Sequence, residues 1–167
     1  KKYYMGNERC FGSGLLISDQ RFVFQYGYIE GRFKLPANRG AWPAFWLLGD
    51  DASRGSANQA HEWPPEIDIF EFFGHRPTKH SAGVLGRKGD APETFKFGYN
   101  DVGFDITKDY HTWGLEWNKD DLVFTFDGKI WARGNTLESL RRPMYLLINL
   151  AVGGKWYSDE MSQAKTP

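Results

Sequence analysis

The sequence of 167 residues is poor in cysteine, in net charge and in long apolar runs. Its single cysteine, Cys10, cannot form an internal disulfide, and no paired histidine marks it as a catalytic thiol. Lysine and arginine number 21, as do aspartate and glutamate, so charge does not favour nucleic acid as a partner. No apolar run approaches the ~18 residues of a membrane helix. We therefore predict neither a nucleic-acid nor a membrane partner.

Aromatic residues are abundant instead, with 7 Trp, 8 Tyr and 13 Phe. Short runs rich in β-branched and aromatic residues recur along the chain, separated by Gly, Pro, Asn and Asp. A chain of this length suits one domain with a sizeable core, and we expect residues 1–167 to form it. Many short strands between turns predict an all-β antiparallel sandwich or barrel.

Alternation predicts the faces of two strands. In the run from Phe22 to Leu35, read as one long strand, one face would carry Phe22, Phe24, Tyr26, Tyr28, Glu30 and Arg32. In the run 41–49, Trp42, Ala44, Trp46 and Leu48 alternate with Phe45 and Leu47.

Turn and cap residues divide the rest of the chain. Asp127–Gly128 predicts a hairpin turn between two strands. Thr136 as a cap and Pro143 as a stop predict one short helix between them. Polar composition predicts loops over residues 50–62 and 86–101.

The stretch Trp63–Gly74, WPPEIDIFEFFG, places three carboxylates in a run of Ile and Phe. In a regular strand Glu66 and Asp68 share a face, and Glu71 lies on the other. One extra residue near Ile69 or Phe70, inserted as a bulge, returns Glu71 to the face of the other two acids. We therefore predict a bulge between Asp68 and Glu71, with all three acids in one open groove.

Two such Glu residues lie ~13 Å apart at Cα, and their side chains can bring the carboxyl groups to ~5–6 Å. Retaining glycosidases use about this spacing. Asp68 between them can hydrogen-bond one Glu, and its charge opposes full ionisation of the three. The pattern favours paired-acid catalysis. Two alternatives stay open: solvent-facing acids, or a metal site assisted by His61, His75 or His80.

The segment EIDIFE resembles the E-x-D-x-x-E signature of family 16 glycoside hydrolases, which include laminarinases, carrageenases and agarases. Further segments resemble the family in the family's order: YGYIEGRFKLP, GAWPAFWLL, HTWGLEW, FTFDGK and LLINLAVGGKW. The resemblance covers nearly the whole chain. It implies a jelly-roll β-sandwich of two antiparallel sheets with a concave substrate cleft.

The resemblance also implies roles for single residues. Glu66 would be the nucleophile, Asp68 its assistant and Glu71 the general acid/base. Six further residues would contact substrate: Glu30, Arg32, Trp42, Trp46, Asn149 and Trp156. The two tryptophans of the run 41–49 could instead be core aromatics, and the Glu–Arg pair could be an ordinary ion pair. An amide in an apolar run, such as that of Asn149, needs hydrogen-bond partners.

We therefore expect a retaining, endo-acting β-glycoside hydrolase that cleaves a β-1,3- or mixed β-1,3/1,4-glucan and requires no cofactor. The alternatives are a depolymerase of another polysaccharide (an exopolysaccharide, carrageenan or agar) and a non-catalytic glucan-binding module. The resemblance implies a secreted or extracellular protein, although the opening residues lack the pattern of a signal peptide.

Two features depart from the family pattern. Laminarinases often carry a His on the strand after the catalytic one, where this chain has Leu85. Family members also have further strands at both ends. We therefore expect a chain that is truncated at both ends or completed by a partner chain, with apolar side chains exposed near both termini. The family's structural calcium site draws on terminal residues and is not carried over.

Overall fold

The computed structural model describes residues 12–50, 65–88 and 91–152. Its strands are β1 (Gly14–Ile17), β2 (Val23–Phe24), β3 (Gly27–Phe33), β4 (Ala41–Gly49), β5 (Glu66–Phe72), β6 (Lys79–Lys88), β7 (Ala91–Asp101), β8 (His111–Trp117), β9 (Asp121–Phe126), β10 (Lys129–Asn135) and β11 (Met144–Val152). Two 3-10 turns lie at Ile106–Lys108 and Glu138–Leu140. No helix in these ranges has the length and apolar character needed to cross a bilayer. The predicted all-β class is confirmed.

The strands form two antiparallel sheets. The seven-stranded sheet has the order β1-β11-β4-β5-β6-β7, with β2 also paired to β11, and the four-stranded sheet has the order β10-β9-β8-β3. Several neighbours, such as β11 and β4, are far apart in sequence, as in a jelly-roll sandwich. The facing sides of the sheets enclose an apolar core that contains Phe70, Trp113, Trp117 and Phe124.

Strand β4 alternates as predicted. Phe45 and Leu47 are buried in the core between the sheets, and Trp42 and Trp46 lie half-buried on the opposite face. β4 pairs with β11 along its whole length and with β5 on its other side. The centre of the seven-stranded sheet therefore presents aromatic and acidic side chains on its outer face.

The single strand predicted from Phe22 to Leu35 is wrong. Tyr26 and Gly27 have φ of 66° and 122°, which breaks the run into β2 and β3. β2 pairs with β11 in the larger sheet, and β3 pairs with β8 in the smaller one. A positive φ is uncommon for tyrosine. The Tyr26 ring packs edge-on against Trp117, with the ring centroids 5.1 Å apart. This contact secures the point at which the chain crosses from one sheet to the other.

The loop predicted over residues 86–101 is also wrong. β6 extends to Lys88, and β7 occupies Ala91–Asp101 and pairs with β6 on both sides of one register shift. Among the described residues β7 lies at the edge of the larger sheet, where much of a strand is exposed to solvent. The polar composition of β7 reflects that edge position, because backbone hydrogen bonds to β6, more than burial of apolar side chains, hold the strand in the sheet.

The helix predicted between Thr136 and Pro143 is reduced to one 3-10 turn at Glu138–Leu140. The Thr136 hydroxyl does not cap a helix, because it donates a hydrogen bond to the Asn118 carbonyl at 2.8 Å. Fully buried Leu140 anchors the turn to the core.

The predicted hairpin between β9 and β10 is confirmed. Asp127 and Gly128 have φ of 48° and 73°, the left-handed values that a two-residue hairpin turn requires. The Asp127 carboxylate also accepts a hydrogen bond from the Thr112 backbone N–H at 2.9 Å. The predicted loop over residues 50–62 lies outside the described residues except for Asp50.

Strand β1 exposes the apolar side chains of Leu15, Leu16 and Ile17. Within the described ranges it is an edge strand that pairs only with β11. Apolar exposure is therefore present near the N-terminus, as expected. Residues 153–167, which include Trp156, lie outside the described residues.

Candidate active site

Strand β5 carries the three acids and lies between β4 and β6. Against β6, Asp68 pairs with Gly83 and Glu71 pairs with Ser81, so three residues of β5 advance against two of β6. The pairing with β4 shifts at the same place. The predicted bulge is confirmed, and buried Ile69 occupies it. Glu71 is therefore returned to the face that carries the other two acids.

That face forms a cleft of about 1020 Å³, and all three acids line it. Strand register arranges the cleft in three rows across the sheet, one for each acid. From β4 to β7 the rows are Leu48-Glu66-Leu85-Thr94, Trp46-Asp68-Gly83-Lys96 and Ala44-Glu71-Ser81-Tyr99. The acids therefore stand at the middle of the cleft, with a β4–β11 flank on one side and a β6–β7 flank on the other.

The β4–β11 flank is built from two hydrogen-bonded indoles. Trp42 Nε1 donates to Glu71 Oε1 at 3.0 Å, and Trp46 Nε1 donates to Asn149 Oδ1 at 2.7 Å. All four residues line the cleft. The two tryptophans are thus cleft residues rather than core aromatics, and Asn149 has the partner that a half-buried amide needs.

Glu30 and Arg32, predicted from the resemblance to contact substrate, do not line the cleft that holds the three acids. They belong to β3 in the smaller sheet and are exposed on its outer face. Glu30 Oε2 accepts a hydrogen bond from the Tyr28 hydroxyl at 2.6 Å, and the Arg32 guanidinium lies 4.6 Å from the Tyr110 ring centroid. The crossing at Tyr26 separates them from the acids by placing β3 in the second sheet.

Burial sets the protonation of the acids. It is the main cause that raises the pKa of Asp68 well above its usual range, and the charges of Glu66 and Glu71 add to the rise. A hydrogen bond from protonated Asp68 to Glu66 acts in the same direction. Burial also raises the pKa of Glu71, against the hydrogen bond from Trp42 and the charge of Lys96. The cleft therefore favours a proton on Asp68 and a Glu71 that keeps its proton to higher pH than an exposed glutamate.

We expect Asp68→Asn to stabilise the protein at pH 8 and to lower any activity of the site. A raised folded-state pKa means that stability falls as pH rises through that pKa, because the buried carboxylate must then ionise. The neutral amide removes this cost, so we expect a melting temperature about 2–4 °C higher, the shift that ~1 kcal/mol gives in a domain of this size.

Thermal unfolding of both proteins from pH 4 to pH 8 measures the effect, which should shrink at the acidic end. Asp121→Asn, on the exposed start of β9, controls for the loss of a surface charge. Equal melting temperatures at every pH would show that Asp68 ionises in the fold without cost.

His75 and His80 lie apart from each other. His75 lines the cleft. His80 is fully buried in the core, with its ring 4.9 Å from Phe126 and 4.8 Å from Trp131. It therefore cannot join the acids in a metal site, and His61 lies outside the described residues. Within residues 12–50, 65–88 and 91–152, no three His, Cys, Asp or Glu side chains are grouped to hold a metal ion.

Sequence reasoning missed the cleft residues of β7, because their segment reads as a loop. Lys96 and Tyr99 both line the cleft although they are three residues apart. Gly98, with φ of 78°, provides the left-handed residue of a second bulge, which brings both side chains to one face. The alternation of Thr94 and Lys96 with Phe95 and Phe97 is the signal that could have identified this strand.

Fold and site together define a jelly-roll sandwich with an acid-lined cleft across its larger sheet. The model of the family "Glycosyl hydrolases family 16" matches residues 5–166, and the chain belongs to this family.

Known proteins similar to this chain include one curated relative and two solved structures. An endo-1,3-1,4-beta-glycanase of Rhizobium meliloti is 35% identical over 144 residues, which are 86% of this chain and 28% of that protein. The laminarinase catalytic domain of Thermotoga maritima has a TM-score of 0.70 and 28% identity, over 85% of this chain and 59% of that one. The mixed linkage glucan PUL GH16 protein of Bacteroides ovatus, in complex with a G4G4G3G product, has a TM-score of 0.75 and 26% identity, over 90% of this chain and 66% of that one. The chain thus spans little more than a quarter of the first relative.

Proposed function

We propose that this chain carries the catalytic centre of a retaining, endo-acting β-glycoside hydrolase that cleaves a β-1,3- or mixed β-1,3/1,4-glucan. One observation carries the proposal: a bulge in β5 brings Glu66 and Glu71 to the same face of an open cleft. Family membership and the printed activities of the relatives support it. The cleft crosses five strands from β11 to β7, about 19 Å at ~4.8 Å a strand, which suits an internal stretch of a polysaccharide.

In this proposal Glu71 protonates the glycosidic oxygen while Glu66 attacks the anomeric carbon and forms a glycosyl-enzyme. Glu71 then removes a proton from the water that releases the sugar. Burial supports the first role, because it raises the pKa of Glu71. The Trp42 indole donates to Glu71 Oε1, so we assign the acidic proton to the other carboxyl oxygen. Asp68 hydrogen-bonds Glu66 and orients it towards the sugar.

The β4–β11 flank would hold the neighbouring sugars. Trp42 and Trp46 offer flat apolar faces for sugar rings, and their ring nitrogens are held by hydrogen bonds. Asn149 uses its carbonyl oxygen on Trp46, which leaves its amide NH₂ to donate to a sugar hydroxyl. The two carboxyl groups supply the chemistry, so the reaction needs no cofactor. Because an intact polysaccharide cannot enter a cell, we place the reaction outside the cell.

We expect the purified protein to release reducing sugars from laminarin or from a mixed-linkage β-glucan. The polysaccharides assayed should also include carrageenan, agar and an acidic bacterial exopolysaccharide. Proton NMR during the first minutes should show a new β-anomeric end before mutarotation, because two displacements retain configuration. The Glu66→Gln/Glu71→Gln double variant is the control for contaminating activity.

Other outcomes would overturn the proposal. An initial α-product would exclude the retaining mechanism. Glucan binding without release of reducing sugars would make the chain a binding module. Release of reducing sugars from carrageenan or agar alone would change the proposed substrate class.

A further inference from the structure

The β6–β7 flank of the cleft differs chemically from the indole-lined flank. Besides Tyr99 it carries two cationic side chains, Lys96 on β7 and Arg76 in the turn after β5. Both cations are exposed. Neither forms a salt bridge within the described part of the chain, whereas Lys79 on β6 pairs with Asp101 at 3.2 Å. These cationic groups are therefore available to a ligand.

Arg76 is held in a defined position. Its backbone N–H donates to the Phe73 carbonyl at 2.7 Å, and its own carbonyl accepts from the Lys79 N–H at 3.0 Å. The guanidinium carbon lies 5.0 Å from the Tyr99 ring centroid. Stacking orients the planar guanidinium and leaves its N–H groups for a ligand, an arrangement that suits two-point recognition of an oxyanion.

Lys96 is directed into the cleft by the bulge at Gly98. It stands in the row of Asp68, with Gly83 between them. A Cβ added to Gly83 would lie 3.7 Å from Asp68 Oδ2 and 3.9 Å from Lys96 Cγ. Even a methyl group at Gly83 would touch both neighbours, so the glycine keeps the cleft floor low between Asp68 and the lysine stem, and all three residues line the cleft.

Neutral glucan does not require two cations at this position. A charged carboxylate in the cleft repels an anionic sugar, and two cations on the adjoining flank oppose that repulsion. We propose that Lys96, Arg76 and Tyr99 form a subsite for a sugar that carries an anionic substituent, either a carboxylate or a sulfate ester. The subsite deepens the proposed hydrolase function and rests on it for its effect on turnover.

The test compares carboxymethyl laminarin with its methyl ester, which has nearly the same size and no charge, and with sulfated laminarin. We expect wild type to prefer the carboxymethyl or the sulfated polymer over the ester in kcat/KM. That preference should fall by ~10-fold in the Arg76→Gln/Lys96→Gln variant, because charge complementarity is lost. Higher salt should also reduce the wild-type preference. The better of the two charged polymers identifies the anionic group.

Lys129→Gln/Arg133→Gln, which removes one lysine and one arginine charge from exposed positions of β10 in the other sheet, is the matched control. Lys96→Arg should keep most of the preference. Equal losses on charged and neutral polymers would overturn the subsite, because they would mean that Lys96 acts only on the neighbouring acids.

Calorimetric titration of Glu66→Gln/Glu71→Gln with the same polymers separates the two proposals. If that variant binds a charged polymer more tightly than the methyl ester, the subsite is supported even if wild type hydrolyses nothing. Absence of hydrolysis would remove only the hydrolase proposal. Hydrolysis of all polymers with no charge preference would remove only the subsite.

Discussion

Supplied with azide and a substrate that has a good leaving group, Glu71→Ala should release a β-glycosyl azide, and Glu66→Ala should release the α-anomer. Without the acid/base, Glu66 still forms the glycosyl-enzyme, and azide entering the vacated space attacks it without needing a general base. Without the nucleophile, azide attacks the substrate from the face where Glu66 stood, and configuration inverts. NMR of the isolated glycosyl azides distinguishes the two products.

Before rescue, each variant should turn over natural glucan slower by several orders of magnitude, on the order of 10⁴-fold, because two groups that act as a unit fail together. Glu116→Ala, which removes an exposed glutamate from β8, controls for the loss of a carboxylate elsewhere. Swapped anomers would reverse the assigned roles. Near wild-type turnover in either variant would remove the paired-carboxylate mechanism and favour a glucan-binding module.

The second large effect concerns stability in acid. We expect His80 to cost the fold about 3 kcal/mol of unfolding free energy as pH falls from 7 to below 4. Burial is the main cause that lowers the pKa of His80 from 6.5 to about 4, aided by the charge of His111 and opposed by that of Asp127. Each unit is worth ~1.4 kcal/mol. Because the unfolded chain takes up the proton first, stability is full above pH 6.5 and falls until the buried ring is protonated.

Urea unfolding at steps between pH 4 and pH 7 measures this loss. His80→Gln should start less stable at pH 7, by about 1–3 kcal/mol for the lost packing, and should lose less on acidification. Its amide can still accept the hydrogen bond that Asn100 Nδ2 makes to His80 Nε2 at 3.0 Å. The acids of the cleft titrate in both proteins, so the difference between the two curves isolates His80. Parallel curves would show that His80 is protonated in the fold without cost.

The local sequence pattern was sufficient to predict which residues lie at the centre of the cleft. The five-residue spacing of Glu66 and Glu71 among apolar neighbours predicts both the strand and the bulge within it. Alternation in β4 likewise predicts that Trp42 and Trp46 share a face. Both inferences succeed because a strand's side chains alternate whatever the strand pairs with, so the residues that share a face are a local property.

Partner strands, in contrast, are not a local property. The run from Phe22 to Leu35 has strand character throughout, yet Tyr26 and Gly27 turn it from one sheet to the other. Glu30 and Arg32 therefore reach the outer face of the smaller sheet instead of the cleft. Their own neighbours in sequence hold no sign of this, because the packing of Tyr26 on Trp117 secures the crossing.

Strand β7 shows the same contrast between local sequence pattern and the choice of partner strand. Its composition reads as a loop, because an edge strand needs backbone pairing and little apolar burial. Only pairing with β6, together with the left-handed Gly98, places Lys96 in the row of Asp68. The sequence alone determined which acids share a face of the cleft, since they lie on one strand. The tertiary structure decided which cations and aromatics face them, since those residues come from strands that meet only through long-range hydrogen bonding.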